Sequence, residues 1–302
     1  MVRPALSANR ALAVLDWVAS HPKTHFTLSE LSRGIGVNIP SLMAVLQSMT
    51  DAGYLSRDPG RKTYSVGPAL FAIGLSVGAH SAAFGILGAE LEQLAAAVGT
   101  ECWATVAIGD KSMVVAEAGR PGSHSLSLRV GNRFPMIAPV GHAFVAWSES
   151  AQIAAWIDRA ESDDFKLDRA RIEQELALVR AQGYSVLFYE RPGYRPSEAL
   201  QYLTGEPENP ERREKVRAAM QEFGDWEFLL PEPGRIYNIS NVTAPVFDPY
   251  GKVLMLIVLN GFTQIEGGDL LGHVERLLQT TRILTKNGGG RMPAIKADRS
   301  HR

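Results

Sequence analysis

The chain has 302 residues, 45% of them hydrophobic and 21% charged, with a formal net charge of −1. At about 150 residues per domain this suggests two apolar cores, and the composition is unlike that of a disordered or collagenous chain. A single cysteine, Cys102, excludes an intrachain disulfide and any multi-cysteine metal site, and fits a reducing cytosol.

The near-neutral total hides an asymmetry. Residues 1–67 hold seven Lys/Arg against four Asp/Glu, a surplus of +3, which leaves −4 on the rest. Only the front of the chain is suited to a polyanion. No basic leader followed by an apolar run opens the sequence, and no uncharged apolar run reaches about 18 residues, so a cytoplasmic protein without a membrane partner is expected.

The spacing predicts a first helix over 7–20, with Ala11, Val14, Leu15 and Val18 facing inward. Thr27-Leu28-Ser29-Glu30 has the spacing of a capping box and should start a second helix carrying Leu28, Leu31 and Ile35. Gly34, Gly36 and Asn38 then supply a sharp turn. A third helix should begin with Asn38 as cap and Pro40 in its first turn. Leu42, Val45, Leu46 and Met49 make its buried stripe, leaving Ser41, Ala44, Gln47, Ser48 and Asp51 exposed. Residues 54–57 and 61–66 read as two strands around Asp58-Pro59-Gly60, with Arg57, Arg61 and Lys62 near the tip. A groove-sized helix followed by a cationic hairpin is the order of a winged helix-turn-helix, which combines base contacts with phosphate contacts. Base reading would rest on Ser41, Gln47 and Ser48, while Arg57, Arg61, Lys62, Arg10 and Lys23 would hold phosphates. Packing alone is the bland reading of the same helices and hairpin.

Two helical stretches follow, 68–83 and 86–98, with glycines that make a hinge plausible. From Glu101 the period changes to two. Strands are expected over 102–108, 112–117, 125–130, 186–189, 238–247 and 252–260, and helices over 139–147, 151–159, 168–182 and 270–284. The sum is an antiparallel sheet with helices against it, an α+β domain. The expected divisions are a winged helix-turn-helix domain at 1–67, a helical linker at 68–99, an α+β domain at 100–285 and a disordered glycine-led tail at 286–302. An insertion at about 191–235, rich in Pro, Gly and charge, interrupts the α+β domain and includes a short helix around 212–223.

No catalytic constellation stands out, and no cofactor or metal site is expected. Cys102, beside Trp103 in an apolar strand, reads as a buried structural thiol. His142, at a helix start beside Gly141, reads as a packed histidine, with contact to a ligand carboxylate as the alternative.

The sequence also resembles the IclR family of bacterial transcription regulators. The resemblance is carried in front by Arg10 to Asp16, Phe26 to Leu31, Asp51-Ala52-Gly53-Tyr54-Leu55 and Tyr64 to Pro68. Further back it is carried by Leu128-Arg129-Val130-Gly131, Gly183-Tyr184-Ser185 and Thr243 to Asp248. It implies a C-terminal α+β GAF-like domain that holds a small-molecule effector, such as an aromatic compound or organic acid. It also implies a homodimer or homotetramer that places paired recognition helices on double-stranded DNA. The effector positions it implies are Leu126, Leu128, Gly141, Leu187, Asn241, Val258 and Asn260. Several are apolar where relatives often carry Ser, Asp or Cys, which favours an uncharged or aromatic ligand over a small dicarboxylate. Ala44 stands where relatives usually show Arg or another large polar residue, and the exposed face of that helix has no cation. A sensory or scaffolding paralogue that no longer binds DNA is therefore the alternative reading.

Overall fold

A computed structural model describes residues 5–21, 23–120, 128–161, 166–188, 230–262 and 264–293. The chain divides into two units, Met1–Ser81 and Ala82–Arg302.

In the first unit, local chemistry sets the boundaries and apolar burial sets the packing. Helix α1 (Leu6–Ala19) is followed by β1 (Phe26–Thr27), α2 (Leu28–Ile35), α3 (Ile39–Asp51), β2 (Leu55–Asp58), β3 (Thr63–Val66) and α4 (Ala69–His80). The capping box forms: the Glu30 N–H donates to Thr27 Oγ1 at 3.3 Å, and Thr27 N–H donates to Glu30 Oε2 at 2.7 Å. Those backbone and hydroxyl donors hold the Glu30 carboxyl below its ordinary pKa. Gly36 ends α2 in the left-handed region at φ 67°, and Asn38 caps α3 by accepting from the Ser41 N–H at 3.0 Å. Gly34, expected in the turn, instead lies within α2, where a Cβ would meet the Trp17 ring at 2.4 Å. Its bareness lets α1 and α2 approach closely.

A cap contributes about 1 kcal/mol, whereas each fully buried leucine contributes about 1.5–3 kcal/mol. Leu31, Leu42 and Leu46 have no exposed surface and pack with Val14, Val18, Phe26, Met49, Leu55 and Tyr64. The core therefore holds the unit together, and the caps fix where its helices start. The hairpin gains a third strand that the sequence pattern did not announce: β1 pairs with β3, giving the order β1-β3-β2. At the hairpin's exit Gly67 lies flush on the end of α3, and a Cβ there would sit 2.2 Å from the Gly53 carbonyl oxygen.

In the second unit, helix α5 (Ala82–Val98) leads into β4 (Glu101–Ile108), β5 (Lys111–Ala118), β6 (Arg133–Pro135), α6 (His142–Val145), α7 (Ser150–Asp158), α8 (Arg169–Gln182), β7 (Ser185–Phe188), β8 (Ile236–Tyr237), β9 (Ile239–Phe247), β10 (Val253–Asn260), β11 (Ile265–Glu266) and α9 (Gly267–Asn287). Among the described residues six strands form one antiparallel sheet in the order β6-β5-β4-β10-β9-β7, and β11 pairs with β8. One face of the sheet is covered by α5 and α9, which pack on Cys102, Ala104, Val242, Ala244, Met255 and Ile257. The other face carries α6, α7 and α8, with Leu187 and Leu256 beneath them.

Several expectations change. The helical stretch expected over 68–99 divides between the units: α4 belongs with the first, and α5 is a core helix of the second. Among the described residues the edge strand is β6 at Arg133–Pro135; of the strand expected over 125–130, residues 125–127 lie outside the described residues. Leu128 to Val130 form no strand, because a turn at Gly131 returns the chain to β5 through the Val114 N–H bond to the Asn132 carbonyl. The tail does not loosen at residue 286. Helix α9 runs to Asn287, and the Gly290 and Arg291 N–H groups donate to the carbonyls of Thr285 and Asp248. Residues 294–302, most of the insertion, and its expected short helix at 212–223 lie outside the described residues.

Gly67→Ala is expected to destabilise the first unit by about 1–3 kcal/mol, because the obstructing atom is backbone. Gly36→Ala, where a Cβ would meet nothing, should cost only the left-handed penalty of about 1 kcal/mol. Urea unfolding of the two variants checks the order.

Candidate DNA-binding face and effector cavity

Helix α3 and the β2–β3 hairpin carry the first candidate site. Arg57, Arg61 and Lys62 are all exposed on the hairpin. Asp58 Oδ1 accepts from the Gly60 and Arg61 N–H groups at 2.8 and 3.0 Å, which closes the turn and holds that carboxyl below its ordinary pKa. The Arg57 guanidinium lies 5.8 Å from the centroid of the Tyr64 ring, which braces it as a cation over an aromatic face. Lys23 is exposed in the loop before β1, and Arg10 is half-buried on α1, so these two lie on neither the hairpin nor α3.

On α3 the side chains expected to read bases are partly engaged with their own helix. Gln47 Nε2 donates to Asp51 Oδ1 at 2.7 Å, and Ser48 Oγ donates to the Ala44 carbonyl at 3.1 Å. Ser41 is half-buried beside the cap. Sequence reasoning overlooked two residues on the same exposed side, Ile39 and Met43, which are 44% and 56% exposed. The signal was available: Ile39, Met43, Gln47 and Asp51 follow at intervals of four and share one row of the helix.

The second candidate site is a cavity of about 730 Å³, including its mouth, between the sheet and α6. Leu128, Gly141, Leu187, Asn241 and Val258 line it. Asn260 does not. It sits at the end of β10, opposite Asn241 and Glu101, and its carbonyl accepts from the Thr100 hydroxyl. Leu126 lies outside the described residues. Wall residues not foreseen include Trp103, Thr105, Ser112, Phe134 and Thr243. Their alternation with core residues along β4, β5 and β9 was the signal that could have found them.

The cavity is closed by the segment from Met136 to Ala146, whose carbonyls accept from donors aimed at them. Trp156 Nε1 donates to Val140 at 2.8 Å, Arg159 Nε to Met136 at 3.1 Å and Arg180 Nη1 to Ala146 at 2.7 Å. His142 is tied at both nitrogens. Nδ1 lies 3.0 Å from the Pro139 carbonyl, which can only accept, so Nδ1 carries the proton and Nε2 accepts from Ser185 Oγ at 2.5 Å. Burial pushes the pKa of His142 down to about 4, so the ring is neutral at pH 7. The lining includes no Asp, Glu, Lys or Arg among the described residues. Thr243 Oγ1 donates to Asn241 Oδ1 at 3.0 Å. The indole N–H of Trp103 and the hydroxyl of Ser112, both buried, have no hydrogen-bond partner among the described residues.

Cys102 faces the opposite core, and burial followed by the nearby Glu101 carboxyl pushes its thiol up to about 12. Among the described residues no cluster of His, Cys, Asp and Glu could hold a metal ion. No single helix there is long and apolar enough to cross a membrane.

Residues 7–59 match the IclR helix-turn-helix domain family. The chain carries an IclR helix-turn-helix domain. Such a domain marks a transcriptional regulator. No curated protein matches the sequence. Among solved structures, an IclR transcriptional regulator from Alicyclobacillus acidocaldarius is similar at 21% identity and a TM-score of 0.64, over 95% of this chain and 100% of that one. HmgR from Pseudomonas aeruginosa is similar at 19% identity and a TM-score of 0.59, over 94% and 100%. An IclR homologue from Microbacterium hydrocarbonoxydans, complexed with 4-hydroxybenzoate, is similar at 14% identity and a TM-score of 0.59, over 93% and 98%. At these identities the likeness shows the fold, and it extends from the IclR helix-turn-helix through the α+β unit.

The buried His142 ties the second unit to pH. Its pKa lies below the ordinary 6.5, so between about 6.5 and 4 the unfolded chain binds a proton that the folded one does not. The stabilisation is complete above pH 6.5 and is lost as pH falls toward 4, by on the order of 3 kcal/mol in all. Urea midpoints over this range should fall more steeply for the native chain than for His142→Gln.

Proposed function

We propose that this chain is a ligand-responsive transcriptional regulator that acts in the cytoplasm, binding operator DNA through its winged helix-turn-helix and a small metabolite in its α+β unit. The observation that carries the reading is the IclR helix-turn-helix with α3 exposed beside a cationic hairpin. Arg57, Arg61 and Lys62 would hold phosphates on one flank, aided by Lys23 and Arg10, while α3 enters the major groove with Ser41, Gln47 and Ser48. The alternative is a sensory paralogue without operator recognition. It is favoured by the Gln47–Asp51 bond and the lack of a cation on α3, and salt-dependent binding to the chain's own promoter separates the two.

The cavity is a concave, mainly apolar pocket with a few convergent polar groups, the form common for small-molecule sites. Its described walls are mainly apolar and carry no fixed charge, so an uncharged or aromatic effector fits better than a small dicarboxylate. The Trp103 indole N–H and the Ser112 hydroxyl would suit a ligand that bears acceptor oxygens. The 4-hydroxybenzoate in the Microbacterium homologue supports a single aromatic ring as the scale of the ligand. The reading is of a regulator and not an enzyme. His142, the one titratable ring in the wall among the described residues, has both nitrogens engaged, and Cys102 lies on the other face. A homodimer or homotetramer is part of the proposal, supported by helix α4, which has no buried residue and exposes Phe71 by 71% and Leu75 by 60%.

Replacing Arg57 and Lys62 together by Ala should weaken binding to all duplexes and reduce the slope of log K against log salt by about 2. An unchanged slope in a titration at several salt concentrations would count against the phosphate role. In calorimetry, neutral aromatic compounds should bind and dicarboxylates should not; tight binding of a dicarboxylate with aromatic compounds silent reverses the effector assignment.

A further inference from the structure

We propose that the N-terminal half of α3 reads thymine 5-methyl groups in the major groove through Met43, with Ile39 and Ala44 beside it. This rests on the regulatory reading above and adds the chemistry by which sequence is recognised.

The exposed row of α3 is split by chemistry. Its C-terminal half closes on itself through the bond from Gln47 Nε2 to Asp51 Oδ1, so the one side chain able to grip an adenine edge with two bonds is already engaged. Its N-terminal half presents Ile39, Met43 and Ala44, all exposed, and the whole helix contains no Lys, Arg or His. In helix-turn-helix proteins the N-terminal residues of the recognition helix are the ones that meet base edges. The one apolar feature a base pair offers in the major groove is the thymine methyl. Met43 suits it, because an unbranched thioether side chain can adjust to a methyl of uncertain height.

A lone exposed methionine is ordinary on a protein surface. Here two large apolar side chains stand four residues apart on one row of the helix. The exposed cations Arg57, Arg61 and Lys62 follow on the hairpin, so the apolar row belongs to the element that a polyanion would bring close. That charge favours a duplex over a protein partner as its occupant.

The test selects a preferred duplex for the full-length protein from a random pool. Affinities are then compared at one salt concentration for that duplex and for versions with single thymines replaced by deoxyuracil, which removes only the methyl. At the thymines facing α3, each replacement should lower affinity roughly fourfold, and replacements outside the footprint should have no effect. Met43→Ala should lose the distinction between thymine and deoxyuracil while keeping the salt slope, and Met43→Leu should retain it. Matching thermal unfolding of both variants ensures that folding is not the cause. Equal affinity for the two duplexes, with sequence-selective binding intact, overturns the methyl reading and leaves the regulatory reading standing. Binding to no duplex overturns both. An altered oligomeric state in Met43→Ala, with no deoxyuracil effect, assigns the apolar row to a protein contact and overturns the proposal.

Discussion

Successive residues of a strand point to opposite faces of a sheet, and in the second unit this alternation separates the close-packed core from the cavity wall. Along β4, Cys102 and Ala104 enter the core beneath α5 and α9, while Trp103 and Thr105 line the cavity on the other face. The same division runs through β10, where Met255 and Ile257 are core and Leu256 and Val258 are wall, and through β9, where Val242 and Ala244 are core and Asn241 and Thr243 are wall. A slip of one residue in β4 would exchange the two sets and bring Cys102 to the cavity.

The segment from Met136 to Ala146, which includes the single turn of α6, closes the cavity. Buried carbonyls need donors, and Trp156, Arg159 and Arg180 supply them from α7 and α8. His142 is fixed from two sides in the same segment, so it contributes a neutral ring to the wall and no charge. The low charge of the cavity is therefore a consequence of how its lid is anchored as well as of which residues line it.

The first unit meets a different demand. Its hydrophobic core uses one stripe of α3, and the opposite stripe is left exposed. On that stripe Gln47 and Asp51 bond to each other, while Met43 stays exposed. The cations Arg57, Arg61 and Lys62 sit on the hairpin, where a short turn keeps them exposed.

The linear sequence alone determined the parts that depend on local chemistry. The Thr27–Glu30 box, the Asn38 cap, the leucine stripe of α3 and the basic hairpin are all encoded within a few residues of one another, and the period of two after Glu101 announced the sheet. Residues that meet across distance were decided only in three dimensions. No local pattern marks the pairing of β1 with β3, the edge strand at Arg133–Pro135, the anchoring of Gly290 and Arg291, or the His142–Ser185 bond between partners 43 residues apart. Asn260 has the right parity for the cavity wall and still lies beyond its end, because parity fixes a side chain's face while the packing of α6 fixes where along the strand the cavity stops.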